Sequence, residues 1–134
     1  MVISRLQRKR TVFLIYRYLL INFNDDKLFL DWVYVTLNNE EIKFYLPILK
    51  SLLTKKDKII EMINNNMQNW VFVRLGKVEQ SILLFACYET IYLKTDFLIS
   101  INEAVKLAKK YCESKSYGLI NSILDKVLNS VIIN

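Results

Sequence analysis

The sequence lacks the residue types on which much of enzyme and metal chemistry depends. Among 134 residues it has no histidine, two cysteines, two glycines and one proline. Without histidine or a close pair of cysteines, Ser-His catalysis, Cys-His catalysis and the usual tetrahedral zinc sites are excluded. Gly76 and Gly118 stand alone, so the chain has no glycine-rich phosphate loop. We therefore expect no enzymatic activity, no bound metal and no cofactor.

The scarcity of glycine and proline also bears on the fold, because turns and hairpins consume both residues. Hydrophobic residues make up 53% of the chain, yet no apolar run approaches the roughly 20 residues that span a bilayer. We predict an all-α fold in a single domain over residues 1–134. Cys87 and Cys112 lie in apolar stretches and are expected to be free thiols, which favours a reducing, cytoplasmic location.

Apolar spacing predicts about seven helices in two packed groups. The first helices form one group, and the helices around Glu89, Ala104 and Ile123 form the other. The first helix is expected over about residues 4–21, ending near residues 22–26. Because Glu89 lies in phase with the apolar side of its helix, its carboxylate is expected to tie helices together in the interior.

Polar residues and one proline mark the expected boundaries of the later helices. Pro47 predicts a kink or a later start for the third helix. The polar residues 54–57 are expected to separate that helix from a fourth. Ser100 and Glu103 stand in the S-x-x-E relation of a capping box, which predicts a helix start at this point.

Positive charge is concentrated at the N-terminal end of the chain. The net charge is +6, and five basic residues precede the first acidic residue, Asp25: they are Arg5, Arg8, Lys9, Arg10 and Arg17. Such a cationic pole attracts polyanions, since guanidinium groups contact phosphates and stack on exposed bases. A basic cluster of this kind is equally typical of a solvated helix face at a chain end, so charge by itself does not decide between that and nucleic-acid binding.

Four segments of the chain, taken in order, resemble the sequence signatures of the NusB family of small bacterial antitermination factors. Residues 101–109 read INEAVKLAK, and residues 116–125 fit the pattern S-x-x-x-I-N-x-I-L-D. Upstream, Trp70 precedes RLGKVEQSILLFACYE at residues 74–89, and residues 8–16 are similar to the family's N-terminal R…LY segment. The four matches are in register and cover most of the chain.

The resemblance implies an RNA-binding transcription antitermination factor that acts without chemistry. Members of the family bind boxA-like single-stranded RNA jointly with a small ribosomal-subunit protein that acts as NusE, within the transcription elongation complex. By resemblance, the RNA-binding residues lie in the first helix and in the loop before the last one: Arg5, Arg8, Lys9, Arg10, Tyr16, Lys115, Ser116 and Tyr117. Glu79 matches the family acid at the partner surface.

The chain departs from the family pattern near this expected binding rim. Lys115 stands where an acidic residue or proline is common, and Ser122 replaces a glycine. Tyr117, Gly118 and Leu119 replace the usual lysine-phenylalanine pair, which either removes the aromatic RNA contact of the family or moves it to Tyr117. The preferred RNA sequence is therefore left open.

Two other classes of function stay open from the sequence. A NusB-like helical module can serve as a protein-interaction domain without RNA specificity. A peripheral membrane protein would use Arg5 to Phe23 as a basic amphipathic anchor. Salt-dependent affinity for boxA-like RNA, absent for anionic vesicles, would separate RNA binding from the membrane anchor. We expect no membrane partner.

Overall fold

The computed structural model describes residues 2–21 and 25–133 and contains six α-helices within these ranges. They are α1 (Arg5–Ile21), α2 (Asp26–Thr36), α3 (Asn39–Asn65), α4 (Lys77–Ile91), α5 (Phe97–Tyr111) and α6 (Ser116–Ile133), with a 3-10 turn at Phe72–Arg74. No strand occurs in the described ranges, so the predicted all-α fold is confirmed, with close to the seven helices expected. The expected end of the first helix at residues 22–24 lies outside the described residues.

Helix α3 joins two helices that the sequence analysis separates. It runs for 27 residues and passes through Pro47, so of the two alternatives predicted at this proline, a kink or a later start, the later start is wrong. Asn38 and Glu41 cap its first turn, because the Glu41 N–H donates to the Asn38 side chain at 2.9 Å and the Asn38 N–H donates to the Glu41 carboxylate at 3.0 Å. Buried Leu52 and Ile59 continue one apolar stripe across the polar residues between them, which keeps this segment helical.

Helix α4 forms the centre of the structure. Every residue from Gln80 to Glu89 is buried, and helices α1, α3, α5 and α6 pack around it. Helices α5 and α6 also pack on each other, and α2 packs on α3, which agrees with two groups of helices. Helix α1 contacts α4 more extensively than it contacts α3, so it connects the two groups.

Helix α5 begins earlier than its sequence pattern predicts. Asp96 is the N-cap, and its carboxylate accepts from the Leu98 N–H at 2.9 Å. Ser100 is buried one turn inside the helix and Glu103 pairs with Arg5, so the predicted Ser100–Glu103 capping box is wrong. Aspartate and serine are both favoured N-caps. The turn between Asp96 and Ser100 contains Phe97, whose side chain packs against the core, and this packing favours the earlier start.

The described helices include none with the length and apolarity needed to cross a membrane. The apolar side of α1 is already occupied, since Val12 lies beside Ile82 and Phe85 of α4. An amphipathic anchor on α1 would need that side to face lipid. The last two residues of the anchor considered above, at positions 22 and 23, lie outside the described residues.

Candidate nucleic-acid interface

Arg8 points into the protein, where it pairs with Glu89 of α4. The Arg8 Nε donates to Glu89 Oε1 at 2.7 Å and its terminal nitrogen donates to Oε2 at 2.9 Å. Thr95 Oγ1 donates to the same Oε2 at 3.2 Å. The two side chains are 6% and 1% exposed, so this bidentate pair is enclosed. It holds the beginning of α1 against the end of α4, as the phase of Glu89 predicts.

This geometry corrects the assignment of Arg8 to the RNA-binding set. A guanidinium that donates two hydrogen bonds to a buried carboxylate is not available to a phosphate at the surface. Arg8 lies on the same side of α1 as buried Val12 and Ile15, and Lys9 lies about a quarter turn away. Arg5 is three residues from Arg8 and close to the same side, but it is the first residue of the helix and stays exposed. Arg8 is therefore an interior residue of this fold.

The other basic residues near the start of α1 face solvent together with lysines of α5. Arg5 is exposed and its Nε lies 3.2 Å from Glu103 Oε1. Arg5 and Lys9 line a cleft of about 150 Å³ with Lys106 and Lys110 of α5. Glu103 is the one acidic residue in the lining of this cleft, so the potential there is positive.

Aromatic rings pair with lysines on α1, near the end of α5 and at the start of α6. Phe13 of α1 and Tyr111 at the end of α5 meet edge to face, with ring centres 5.1 Å apart. The Lys9 ammonium lies 6.0 Å from the centre of the Phe13 ring, and the Lys110 ammonium lies 5.5 Å from that of Tyr111. Lys109 lies 5.1 Å from the Tyr117 ring of α6. We call this set the basic–aromatic strip: Lys9, Phe13, Lys109, Lys110, Tyr111 and Tyr117.

Tyr16 and Arg10 lie beside the strip rather than in it. Tyr16 is half-buried on α1, two helical turns from Lys9 along the same side. Arg10 is half exposed and its guanidinium lies 3.6 Å from Glu41 Oε2. Both side chains keep part of their surface open to solvent.

Glu79 joins the beginnings of α4 and α6. Its Oε1 accepts a hydrogen bond from Ser116 Oγ at 3.0 Å, so the structure brings together two residues that the sequence analysis assigned to separate surfaces. The carboxylate folds back over Gly76, where a Cβ atom would overlap Glu79 Oε2. Burial, and then the charge and hydrogen bond of Glu79, raise the pKa of the Cys112 thiol to about 11. Cys112 is therefore protonated near neutral pH.

The positions at which the chain departs from the family pattern lie close to this end of the strip. Lys115 and Gly118 are exposed, Leu119 is half-buried and Ser122 is exposed on α6. Tyr117 is 40% exposed, so its ring is accessible beside Lys109.

Sequence reasoning missed the contribution of α5. Phe13, Lys109, Lys110 and Tyr111 were not among the predicted site residues, although the run Lys109-Lys110-Tyr111 carries a cation–aromatic signal. That signal indicates a binding surface only once the end of α5 is known to lie beside Phe13. The two lie together because α1 and α5 both pack on α4.

Fold and surface together define a class, the small all-helical proteins whose exposed cations and aromatic rings suit a single-stranded nucleic acid. The model of the NusB family matches residues 5–129. The match covers most of the chain, and the chain belongs to the NusB family.

Similar curated proteins are transcription antitermination proteins NusB from several bacteria. The Finegoldia magna protein is 38% identical over 96 residues, which cover 71% of this chain and 70% of that protein. The protein from Clostridium botulinum strain Kyoto is 39% identical over 100 residues, which cover 73% and 69%. The Fusobacterium nucleatum protein is 35% identical over 95 residues, which cover 71% of this chain and 62% of that protein.

Solved structures share the fold. T. maritima NusB superposes with a TM-score of 0.76 at 22% identity, covering 95% of this chain and 92% of that one. A chain in the crystal structure of antitermination factors NusB and NusE in complex with dsRNA gives a TM-score of 0.72 at 22% identity, covering 92% and 93%.

Proposed function

We propose that this chain is an RNA-binding transcription antitermination factor. Its ligands in this proposal are boxA-like single-stranded RNA and a small ribosomal-subunit protein acting as NusE, bound within the transcription elongation complex. The basic–aromatic strip is the observation that carries the proposal. Membership of the NusB family supports the role in antitermination.

The strip offers the two kinds of contact that bind a single strand. The ammonium groups of Lys9, Lys109 and Lys110 attract backbone phosphates, and the release of counterions makes this attraction depend on salt. Phe13 and Tyr117 are each 40% exposed and present rings to unstacked bases. A duplex keeps its bases stacked inside, so these rings favour a single strand.

Arg5, Arg10 and Tyr16 have supporting roles in the proposal. The Arg5 side chain is 74% exposed, and an ion pair at the surface contributes at most about 1 kcal/mol, so a phosphate can compete with Glu103 for it. Arg10 is in a similar position with Glu41. Tyr16 is half-buried beside Lys9 and offers its exposed part to a base.

The partner surface is proposed at the other end of the strip, where Glu79 accepts from Ser116. Lys115 is exposed in the loop next to this contact. A structurally similar chain has been crystallised with NusE and dsRNA, which supports a NusE-like partner for this chain. A partner beside Glu79 would extend the RNA path beyond Tyr117.

Titration of labelled boxA-like RNA tests the strip. In Lys109→Gln/Lys110→Gln, we expect an affinity loss of about tenfold or more, and a fall of about 1.4 in the slope of log affinity against log salt, since each single-strand phosphate contact contributes about 0.7. Lys50→Gln/Lys58→Gln is the matched control, because both lysines are exposed on α3 outside the strip. The control should bind like the wild type.

Further arms of the titration separate the competing functions. A duplex of the same sequence should bind more weakly than the single strand. Equal losses in the strip variant and in the control variant would attribute binding to net charge alone. Unchanged binding of the strip variant would contradict the proposal. A wild-type protein that binds the ribosomal partner but no RNA would be a protein-interaction module instead.

A further inference from the structure

A second concave surface lies on α1 next to the strip. It is a groove of about 390 Å³ between α1, α2 and α3, which we call the α1–α3 groove. Its lining includes Arg10, Phe13, Arg17, Trp32, Glu41 and Tyr45. The volume is within the range of about 300–1,000 Å³ found for sites that hold small organic ligands.

The groove combines guanidinium groups with an aromatic ring. The guanidinium carbon of exposed Arg17 lies 5.2 Å from the centre of the Trp32 ring. Phe29 stacks on Trp32 with ring centres 6.0 Å apart, which limits rotation of the indole. Within residues 2–21 and 25–133 no carboxylate forms an ion pair with Arg17. An anion in the groove is therefore attracted by two guanidinium groups, those of Arg10 and Arg17, and repelled by one carboxylate, that of Glu41.

Phe13 connects the α1–α3 groove to the basic–aromatic strip. Its ring contacts Tyr111 in the strip and also lines the groove. Along α1, Arg10, Phe13 and Arg17 follow the spacing of one helix face, while Lys9 lies on the adjoining side of Phe13. A single strand bound along the strip reaches the groove by crossing α1 at Phe13.

We propose that the α1–α3 groove binds a further nucleotide of the same RNA strand. Its base stacks on the outer face of the Arg17 guanidinium, which lies over the Trp32 ring, and Arg10 contacts a flanking phosphate. Stacking on an aromatic or guanidinium surface tolerates any base. The groove therefore increases affinity for longer strands without selecting their sequence. This inference rests on the proposed function and adds a binding site outside the strip.

Tryptophan fluorescence tests the site directly, because the chain has two tryptophans, Trp32 and Trp70. Trp70 is 53% exposed, so Trp70→Phe should fold and leaves Trp32 as the single reporter. Two oligonucleotides of one sequence, roughly six and roughly twelve nucleotides long, span common site sizes for single-strand binding. At saturation, the long strand should quench Trp32 emission and the short strand should change it little. In Trp32→Phe, emission from Trp70 should not respond in this way.

Arg17→Gln provides the matched binding measurement. We expect its affinity for the long strand to fall at least about fivefold, the effect of losing one stacked base. Its affinity for the short strand should stay within about twofold of wild type. Lys58→Gln removes the same charge from an exposed position on α3 outside the groove and should alter neither affinity.

The outcomes distinguish the groove from the strip. Unchanged Trp32 emission with the long strand, or equal losses for both strands in Arg17→Gln, would overturn the groove site and leave the proposed function intact. Normal binding of both strands by Lys109→Gln/Lys110→Gln would instead contradict the strip. Quenching of Trp32 by an acidic peptide but not by RNA would overturn the inference and assign the groove to a protein ligand. A wild-type chain that binds neither strand would overturn both proposals.

Discussion

Arg5 and Arg8 lie on the same turn of α1, and their side chains are in different surroundings. Arg8 is 6% exposed and Glu89 is 1% exposed, whereas Arg5 is 74% exposed. A buried charge that loses its partner costs several kcal/mol, because no water replaces the lost hydrogen bonds. An exposed pair such as Arg5–Glu103 competes with solvent and contributes little. The two arginines therefore contribute differently to folding.

Arg8→Ala should lower the free energy of unfolding by about 3–5 kcal/mol, because it leaves the Glu89 carboxylate buried without its guanidinium. Denaturation in urea, followed by helical circular dichroism, measures the change. The exposed Arg5→Ala variant is the control and should lose no more than about 1 kcal/mol.

Replacing both Arg8 and Glu89 tests whether the loss of stability in Arg8→Ala comes from the unpaired charge of Glu89. Because Arg8→Met/Glu89→Leu removes both charges and keeps apolar volume, it should recover most of the stability lost in Arg8→Ala. A loss below about 1 kcal/mol in Arg8→Ala would contradict the buried-pair interpretation.

The two cysteines allow a second prediction for single residues. Burial raises the pKa of the Cys87 thiol to about 12, and burial followed by the charge of Glu79 raises that of Cys112 to about 11. The thiolate is the reactive form, so alkylation of the folded protein by iodoacetamide should be slow at pH 8 and should accelerate as the pH rises toward these values. Glu79→Gln removes a negative charge that disfavours the thiolate, so it should lower the Cys112 pKa and speed its alkylation.

Mass spectrometry after timed alkylation measures the alkylation rates of Cys87 and Cys112 separately. Cys87 is the internal control, since it is fully buried on α4 and Glu79 is not among the causes of its shift. Equal acceleration at both cysteines would indicate loosening of the fold, and an unchanged Cys112 rate would place Glu79 away from this thiol.

Helices α4, α5 and α6 carry their stability in buried stripes rather than in their caps. Gln80 to Glu89 of α4 are all buried, and α6 buries Ile120, Leu124 and Leu128 completely. A cap contributes about 1 kcal/mol, whereas a buried aliphatic side chain contributes several times as much. Packing therefore decides where a helix such as α5 begins and whether a polar interval interrupts a helix such as α3.

Ile120→Ala should lower the free energy of unfolding by about 2–5 kcal/mol, because it leaves a cavity between α6 and its neighbours. Ile99→Ala on α5 is the matched control, since Ile99 is 50% exposed and the same atoms are removed where water fills the space. Chemical denaturation of the two variants gives the comparison. Similar losses in both would contradict the packing assigned to α6.

At the scale of the whole molecule, α4 brings distant segments of the chain to one surface. Helix α1 packs along it on one side and α5 and α6 pack on others, so Phe13 and Tyr111 meet although about three quarters of the chain separates them. Charges of α1 and α5 therefore add at one cleft, where Arg5 and Lys9 lie with Lys106 and Lys110, while the interior Arg8–Glu89 pair holds the first helix in place. A partner beside Glu79 would lie at the end of that face.

Binding of RNA and of the ribosomal partner should be cooperative. RNA loses conformational freedom when it binds, and a partner that extends the same surface lowers that cost for both ligands. By linkage, the partner should tighten RNA affinity by the same factor by which RNA tightens partner affinity. Titrations of labelled RNA with and without the partner measure the factor. Equal affinities would contradict a shared surface, and loss of the gain in Glu79→Ala would locate the partner at this residue.

Local chemistry along the chain was enough to predict the all-α class, the approximate position of the first helix, the cationic N-terminal segment and the interior role of Glu89. Apolar period and charge order are properties of neighbouring residues, so they can be read before any packing is known. The family signatures likewise depend on residue order alone.

Tertiary structure decided which basic residues reach the surface and which residue caps α5. Arg8 and Arg5 have the same chemistry, and only the approach of α4 makes one of them interior. Asp96 and Ser100 are both suitable caps, and packing of the turn between them favours the first. The strip formed by Phe13 and Tyr111 depends on two helices meeting across a third. Such contacts join residues far apart in the chain, and no local period specifies them.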